Sequence, residues 1–226
     1  MDIGNLKRVT IFAGHYGSGK TNIAVNFALY MSGVKENVVI ADLDIVNPYF
    51  RTKDSEELLK EKGIRLISSP YANTNVDTPA LPAEAYAVIH DKSTNAVIDV
   101  GGDDRGALAL GRYADGIRES GDYEMLFVIN KHRYLTADPV STVEVMREIE
   151  QAASMKFTGI VNNSNIGSET TVETVLNSMD YAEEVSKITG LPIKMTAVKA
   201  ELMDDLQGKA ENLFPLTIYV KQSFDC

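Results

Sequence analysis

Short β-branched runs alternate along the chain with longer stretches whose apolar residues recur at helical spacing. Residues 8–13, Arg-Val-Thr-Ile-Phe-Ala, read as a strand buried on both faces. A glycine-rich turn follows, from Gly14 to Gly19. From Lys20 the apolar positions Ile23, Ala24, Phe27, Ala28 and Met31 fall on one helical face, and Gly33 supplies the stop signal. The same alternation predicts strands at 37–41, 64–67, 95–100, 125–129, 157–161, 192–197 and 216–220. It predicts helices at 55–62, 83–90, 106–119, 139–153 and 170–189. Residues 68–82 form a loop rich in Pro, Asn and Thr, long enough to suggest use rather than mere connection. There is no internal repeat and no Pro-, Gly- or Ser-rich linker. The expectation is one α/β domain over residues 1–226, with a mostly parallel sheet and helices on both faces. In such folds ligands sit beyond the carboxyl ends of the strands. The loops opening at Gly14, Asp42, Asp99, Asn130 and Asn162 should therefore share one rim.

The turn after the first strand carries the chemistry. Gly14-His15-Tyr16-Gly17-Ser18-Gly19-Lys20-Thr21 fits G-x-x-x-x-G-K-[ST], with a strand before it and a helix after it. Glycines let the backbone curl into a cup whose N–H groups point inward and bind an anion. The helix that starts there adds the positive end of its dipole. Lys20 is placed against the β- and γ-phosphates of a nucleotide, and the Thr21 hydroxyl is a hard oxygen suited to Mg²⁺.

Two further strand ends add acids. Ala96-Val-Ile-Asp99 runs apolar up to a carboxylate, and Asp99-Val-Gly-Gly102 spells D-x-x-G. Asp99 can hold Mg²⁺ through water, and the Gly102 N–H can reach a γ-phosphate. Asp42-Leu43-Asp44 follows the second strand with both carboxylates on one side. Two acids there repel unless a cation lies nearby. Asp42 is read as an outer ligand of the metal, and Asp44 as the group that positions or deprotonates the attacking water.

Composition narrows the classes. Apolar residues make up 44% of the 226 and charged residues 24%, an ordinary globular balance. Lys and Arg number 22 against 32 Asp and Glu, a net charge of −10, which disfavours whole-surface binding to nucleic acid or anionic lipid. The single cysteine, Cys226, excludes Cys-x-x-Cys metal or redox sites, and His90 and His132 have no metal-ligand spacing. No run approaches the length of a membrane span, and residues 1–9 show no signal-peptide core, so a cytoplasmic protein is expected.

Residues 17–28, the Ala41-Asp-Leu-Asp44 segment and Ile98-Asp-Val-Gly-Gly102 resemble the MinD/ParA branch of P-loop ATPases, the CobQ/CobB/MinD/ParA nucleotide-binding domain. The resemblance implies a three-layer P-loop NTPase fold with a sheet of seven or eight mostly parallel strands. It implies Mg·ATP as ligand and often an ATP-dependent homodimer. It assigns Lys20 to phosphate, Thr21 to Mg²⁺, Asp42 and Asp99 to the outer shell of the metal, and Asp44 to the water. The chain departs from that family in one respect. The second lysine near the start of the loop, which reaches a partner's phosphates, is replaced by His15, whose pKa of about 6.5 makes it a poor constant cation. Arg51 and Arg105 are alternative sources of that charge. Paired cysteines are absent, which excludes an iron–sulfur carrier of this class.

Base choice is read from two loops. Asn130-Lys-His-Arg133 begins like the guanine-binding Asn-Lys-x-Asp motif, but Arg133 stands where the acid belongs, and a guanidinium offers only donors. Asn162 and Asn163, after the sixth strand, sit where the resembled family contacts adenine. Asn162, nearer the strand, is the favoured contact. The expected function is a Mg·ATP-dependent ATPase that switches or matures a partner protein, with ATP and ADP as ligands and no nucleic acid or membrane partner. A small-molecule kinase or ligase on the same scaffold, and a nucleotide-binding module with negligible hydrolysis, are the alternatives.

Overall fold

The computed structural model describes residues 6–44, 55–68 and 83–219, apart from the side chains of Ala83 and Asp104. Arg51, Cys226 and residues 69–82 of the polar loop lie outside these.

Eight strands form one sheet, β1 (Val9–Ala13), β2 (Val38–Asp42), β3 (Arg65–Ile67), β4 (Asn95–Asp99), β5 (Tyr123–Ile129), β6 (Gly159–Asn162), β7 (Ile193–Lys199) and β8 (Leu213–Leu216). Their order is β3-β2-β4-β1-β5-β6-β7-β8, with every pairing parallel. The helices are α1 (Lys20–Ser32), α2 (Glu56–Glu61), α3 (Ala83–His90), α4 (Asp104–Gly111), α5 (Ala114–Ser120), α6 (Pro139–Ala153), α7 (Val172–Leu176), α8 (Met179–Thr189) and α9 (Met203–Leu206). The expected α/β fold, with a mostly parallel sheet of seven or eight strands and helices on both faces, is what the chain adopts.

The central strands are apolar at nearly every position because helices cover both faces. Alternation divides their side chains between two cores. Val9, Ile11, Val39, Ala41, Ile98, Phe127 and Ile160 pack with α3, α4, α5, α6 and α8. Phe12, Ile40, Val97, Leu126 and Val161 pack on the other side with α1 and Leu59 of α2. Phe12 of β1 meets Phe27 of α1 edge to face, ring centroids 5.2 Å apart, and Phe27 continues to Phe214 of β8 at 6.2 Å. Such pairs contribute about 0.5–1.5 kcal/mol beyond their buried area and fix α1 over β1, hence the turn between them.

Three expected elements shift. The helix predicted at 106–119 is two, α4 and α5, parted where Tyr113 turns inward, its ring 4.3 Å from that of Tyr86 on α3. The helix predicted at 170–189 divides into α7 and α8 around Ser178, whose hydroxyl donates to the Val175 carbonyl. The last strand lies at 213–216 rather than 216–220. As an edge strand it tolerates Pro215, and that register buries Phe214 against α1.

Candidate phosphate and metal site

β1 is flanked by β4 on one side and β5 on the other, so the chain reverses direction across the sheet at β1. Ligand crevices open at such a switch point. The turn that opens there is residues 14–19. Gly17 and Gly19 take positive φ values of +74° and +89°, a region that side chains disfavour. The Ser18 N–H closes the turn onto the His15 carbonyl at 3.2 Å. Lys20 then begins α1.

The Lys20 ammonium is buried and donates to the His15 carbonyl at 3.1 Å. Desolvation lowers its pKa from the ordinary lysine value, against the favourable charges of Asp99, Asp44 and Asp103. Gly102 lies against this corner. A Cβ on it would stand 2.7 Å from the backbone N and Cα of Tyr16 and 2.9 Å from the Lys20 Nζ. The D-x-x-G segment is thus pressed onto the glycine-rich turn.

Strand register brings the acids to the same place. Asp42 and Asp99 are direct partners across β2 and β4, and Asp99 is also level with Phe12 of β1. Ile40 and Val97, two residues earlier on each strand, face α1, so both buried carboxylates continue that side, where α1 carries Thr21. Asp44 is half-buried. Its N–H donates to the Asp42 Oδ1 at 2.9 Å, and its own Oδ1 lies where a Cβ on Gly101 would be 3.2 Å away. The structure therefore gathers Gly14 to Thr21, Asp42, Asp44, Asp99 and Gly102 at one corner. Buried Ser18 Oγ has no hydrogen-bond partner among the described residues.

His15 is partly buried, and its Nδ1 lies 3.0 Å from the Tyr16 carbonyl, a hydrogen bond when that nitrogen carries the proton. Burial, with the Lys20 charge added, holds its pKa below the ordinary histidine value, against that hydrogen bond and the Glu148 charge. The ring is thereby a weaker base than a free histidine. Asp103 caps α4, accepting from the Gly106 N–H at 3.0 Å, and Arg105 is exposed on that helix.

The two asparagines after β6 have different surroundings. Asn162 is buried away from the turn. Its Nδ2 donates to Ser178 Oγ at 2.9 Å, and its Oδ1 accepts from the N–H and hydroxyl of Ser164 at 3.2 and 2.7 Å. Asn163 instead donates from Nδ2 to the Ser18 carbonyl at 2.6 Å. Strand parity explains the split: Asn162 follows Ile160 toward α8, while Asn163 follows Val161 toward α1. Asn162, the favoured contact of the two, has its amide engaged in internal bonds. Arg133 has a place at the site that the sequence reading did not give it. Its Nε donates to the Gly17 carbonyl at 2.8 Å. Asn130 is fully buried, its Oδ1 accepting from the His132 N–H at 2.9 Å and its Nδ2 donating to the Asn165 carbonyl at 3.2 Å.

No helix among the described residues is long and apolar enough to cross a membrane. No group of three or more His, Cys, Asp or Glu side chains among them is arranged to hold a metal ion.

No protein-family profile and no curated protein sequence matches the chain. Solved structures do. FtsY from Mycoplasma mycoides is 20% identical with a TM-score of 0.58, over 86% of this chain and 60% of that one. Chloroplast FtsY from Physcomitrella patens is 19% identical with a TM-score of 0.57, over 86% and 60%. Signal recognition particle 54 kDa protein from Aeropyrum pernix K1, in complex with GDP, is 18% identical with a TM-score of 0.56, over 86% and 42%. The chain spans between 42% and 60% of the length of these relatives. The likeness is one of architecture: the chain has a three-layer α/β fold of the P-loop NTPase type.

Proposed function

We propose that the protein is a Mg²⁺-dependent ATPase of the MinD/ParA-like class, a single nucleotide-binding domain over residues 1–226 that hydrolyses the β–γ bond of ATP and so switches or matures a partner protein. Lys20 carries this reading. Its ammonium is buried at the base of a glycine-rich cup, depressed in pKa by desolvation, and donates to a carbonyl. A cation held dry in that way gains most from an incoming anion, and the cup supplies further N–H donors.

In this reading the loop from Gly14 to Thr21 wraps the phosphates, and Lys20 leaves the His15 carbonyl for the β- and γ-oxygens. The Gly102 N–H serves the γ-phosphate. Asp44 orients the attacking water in line with the leaving oxygen. Thr21, Asp42 and Asp99 would hold Mg²⁺, which supplies charge neutralisation on the phosphate oxygens. A site completed by phosphate oxygens and waters needs few protein ligands, which accords with the donor set at these strand ends.

Adenine is preferred to guanine on the chemistry of two loops. Arg133 replaces the acid that guanine's N1–H and amino group require, and residues 162–165 after β6 carry no carboxylate in its stead. One observation favours a GTP-binding reading instead: the similar signal recognition particle structure is in complex with GDP. His15, made a weaker base by burial, is a poor substitute for the lysine that acts across a dimer in the MinD/ParA class, so dimerisation is part of the test.

Calorimetry with Mg²⁺ and ATP, ADP or GTP, together with molar mass measured with and without ATP, tests the proposal. Saturable binding of ATP in preference to GTP, lost in Lys20→Ala, is the expected result. Preference for GTP overturns the base assignment alone. No binding of either triphosphate at millimolar concentration overturns the whole reading.

A further inference from the structure

We infer that Arg133 and Asn163 are positioning residues for the phosphate loop, each holding one of its outward carbonyls. The inference rests on the phosphate-binding reading above and deepens it. The two carbonyls are consecutive. Arg133 Nε donates to Gly17 O at 2.8 Å, and Asn163 Nδ2 donates to Ser18 O at 2.6 Å. The donors come from different loops, one after β5 and one after β6.

In a trans peptide the N–H points opposite to the C=O. Holding the Gly17 and Ser18 carbonyls therefore sets the directions of the Ser18 and Gly19 N–H groups. Glycines on both sides of Ser18 give the backbone wide conformational freedom, and within the turn the Ser18 N–H closes onto the His15 carbonyl at 3.2 Å, so the two side chains add a hold from outside the turn. The Ser18 side chain does not supply it, because its buried hydroxyl has no hydrogen-bond partner among the described residues. The fit is close on both sides. A Cβ on Gly17 would stand 3.3 Å from the Arg133 Nε, and one on Gly19 would collide with the Asn163 Nδ2.

The donors are themselves anchored. The Asn163 N–H donates to the Ile129 carbonyl at 2.9 Å, and the Arg133 N–H donates to the Asn130 carbonyl at 3.1 Å. Asn130 reaches across to the Asn165 carbonyl at 3.2 Å, and the Asn165 Nδ2 donates back to the Asn163 carbonyl at 2.9 Å. A network of amides thus ties the ends of β5 and β6 to the back of the phosphate loop. Asn163 acts on the loop, which is a different role from reading the base.

The test compares Asn163→Ala, Arg133→Met and Arg133→Lys with the wild type, using ATP and inosine triphosphate, which lacks the N6 amino group. Displacement of a fluorescent ATP analogue gives each Kd, and melting temperature is followed in parallel. Asn163→Ala and Arg133→Met are expected to weaken both nucleotides by one common factor of about ten, the scale of one hydrogen bond within a charged site. Arg133→Lys, which keeps a charged donor, should recover most of the loss. A loss confined to ATP in Asn163→Ala would make Asn163 a base reader and overturn the inference. Lowered melting temperature with unchanged Kd would make both residues merely structural and also overturn it. Arg133 is partly exposed, so its variants remain informative if Asn163→Ala does not fold. Failure of the wild type to bind either triphosphate would instead remove the phosphate-binding reading itself.

Discussion

Replacing Gly102 by alanine tests how tightly the two halves of the site are fitted. The added methyl would sit 2.7 Å from the Tyr16 N and Cα and 2.9 Å from the Lys20 Nζ. Carbon atoms prefer separations of about 3.5–4.0 Å, so the contact must open by about 1 Å. Lys20 can move because Nζ ends a flexible chain, but Tyr16 presents backbone. The cost is therefore an overpacked core contact, about 1–3 kcal/mol of stability. A displacement of about 1 Å at a reacting centre costs about 100-fold in rate, and that is the expected loss in nucleotide turnover. Urea unfolding measures the first quantity and phosphate release under saturating Mg·ATP the second. Gly121→Ala is the control. Its φ is +69° with nothing within 4 Å, so it should lose about 1 kcal/mol from backbone strain and turn over ATP normally. If Gly102→Ala matches the wild type in both assays, the contact between the D-x-x-G segment and the phosphate loop does not organise the site.

Other outcomes follow from single residues. Asp44→Asn should bind Mg·ATP as the wild type does while phosphate release falls about 100-fold or more, and normal release would remove Asp44 from the chemistry. The buried Arg8 guanidinium donates to the carbonyls of Val88, Ile89, Asp91 and Thr94 at 2.7–3.3 Å, closing the C-terminal end of α3. Arg8→Ala should cost at least about 2 kcal/mol in urea unfolding, and no loss would show that this cap is not needed. Burial of Glu150 would raise its pKa, but hydrogen bonds from Lys156, Arg147 and the Phe157 N–H outweigh it and hold it below the ordinary glutamate value. The stability from that depressed pKa is present above the unfolded-state pKa and is lost as pH falls through the folded-state value. Glu150→Gln should therefore be less stable than wild type at pH 7, and the gap should shrink in acid. A gap constant with pH would contradict the ion-pair account.

The parts of the site that are local in sequence were legible in it. The cup needs only glycines, a lysine and a threonine between a strand and a helix, and Asp42 and Asp99 end strands whose apolar runs are unmistakable. What escaped depends on distant partners. Arg133 reaches Gly17 across 116 positions, and Asn163 reaches Ser18 across 145. No spacing rule connects them, and Arg133 registered only as a missing acid. The choice between Asn162 and Asn163 was within reach, since strand parity sends them to opposite faces. The two divided helices keep apolar residues on either side of their breaks, so periodicity alone passes through Tyr113 and Ser178. The edge strand shifted because Phe214 finds Phe27, a tertiary contact with no local signature.

The central claim is that the turn between β1 and α1 grips a triphosphate. A crystal structure grown with Mg²⁺ and a non-hydrolysable ATP analogue at saturating concentration addresses it most directly. The account predicts phosphates enclosed by the backbone of residues 14–21, with the Lys20 Nζ moved from the His15 carbonyl onto phosphate oxygens. An empty turn with Lys20 still on that carbonyl, or a nucleotide bound elsewhere on the molecule, would contradict it.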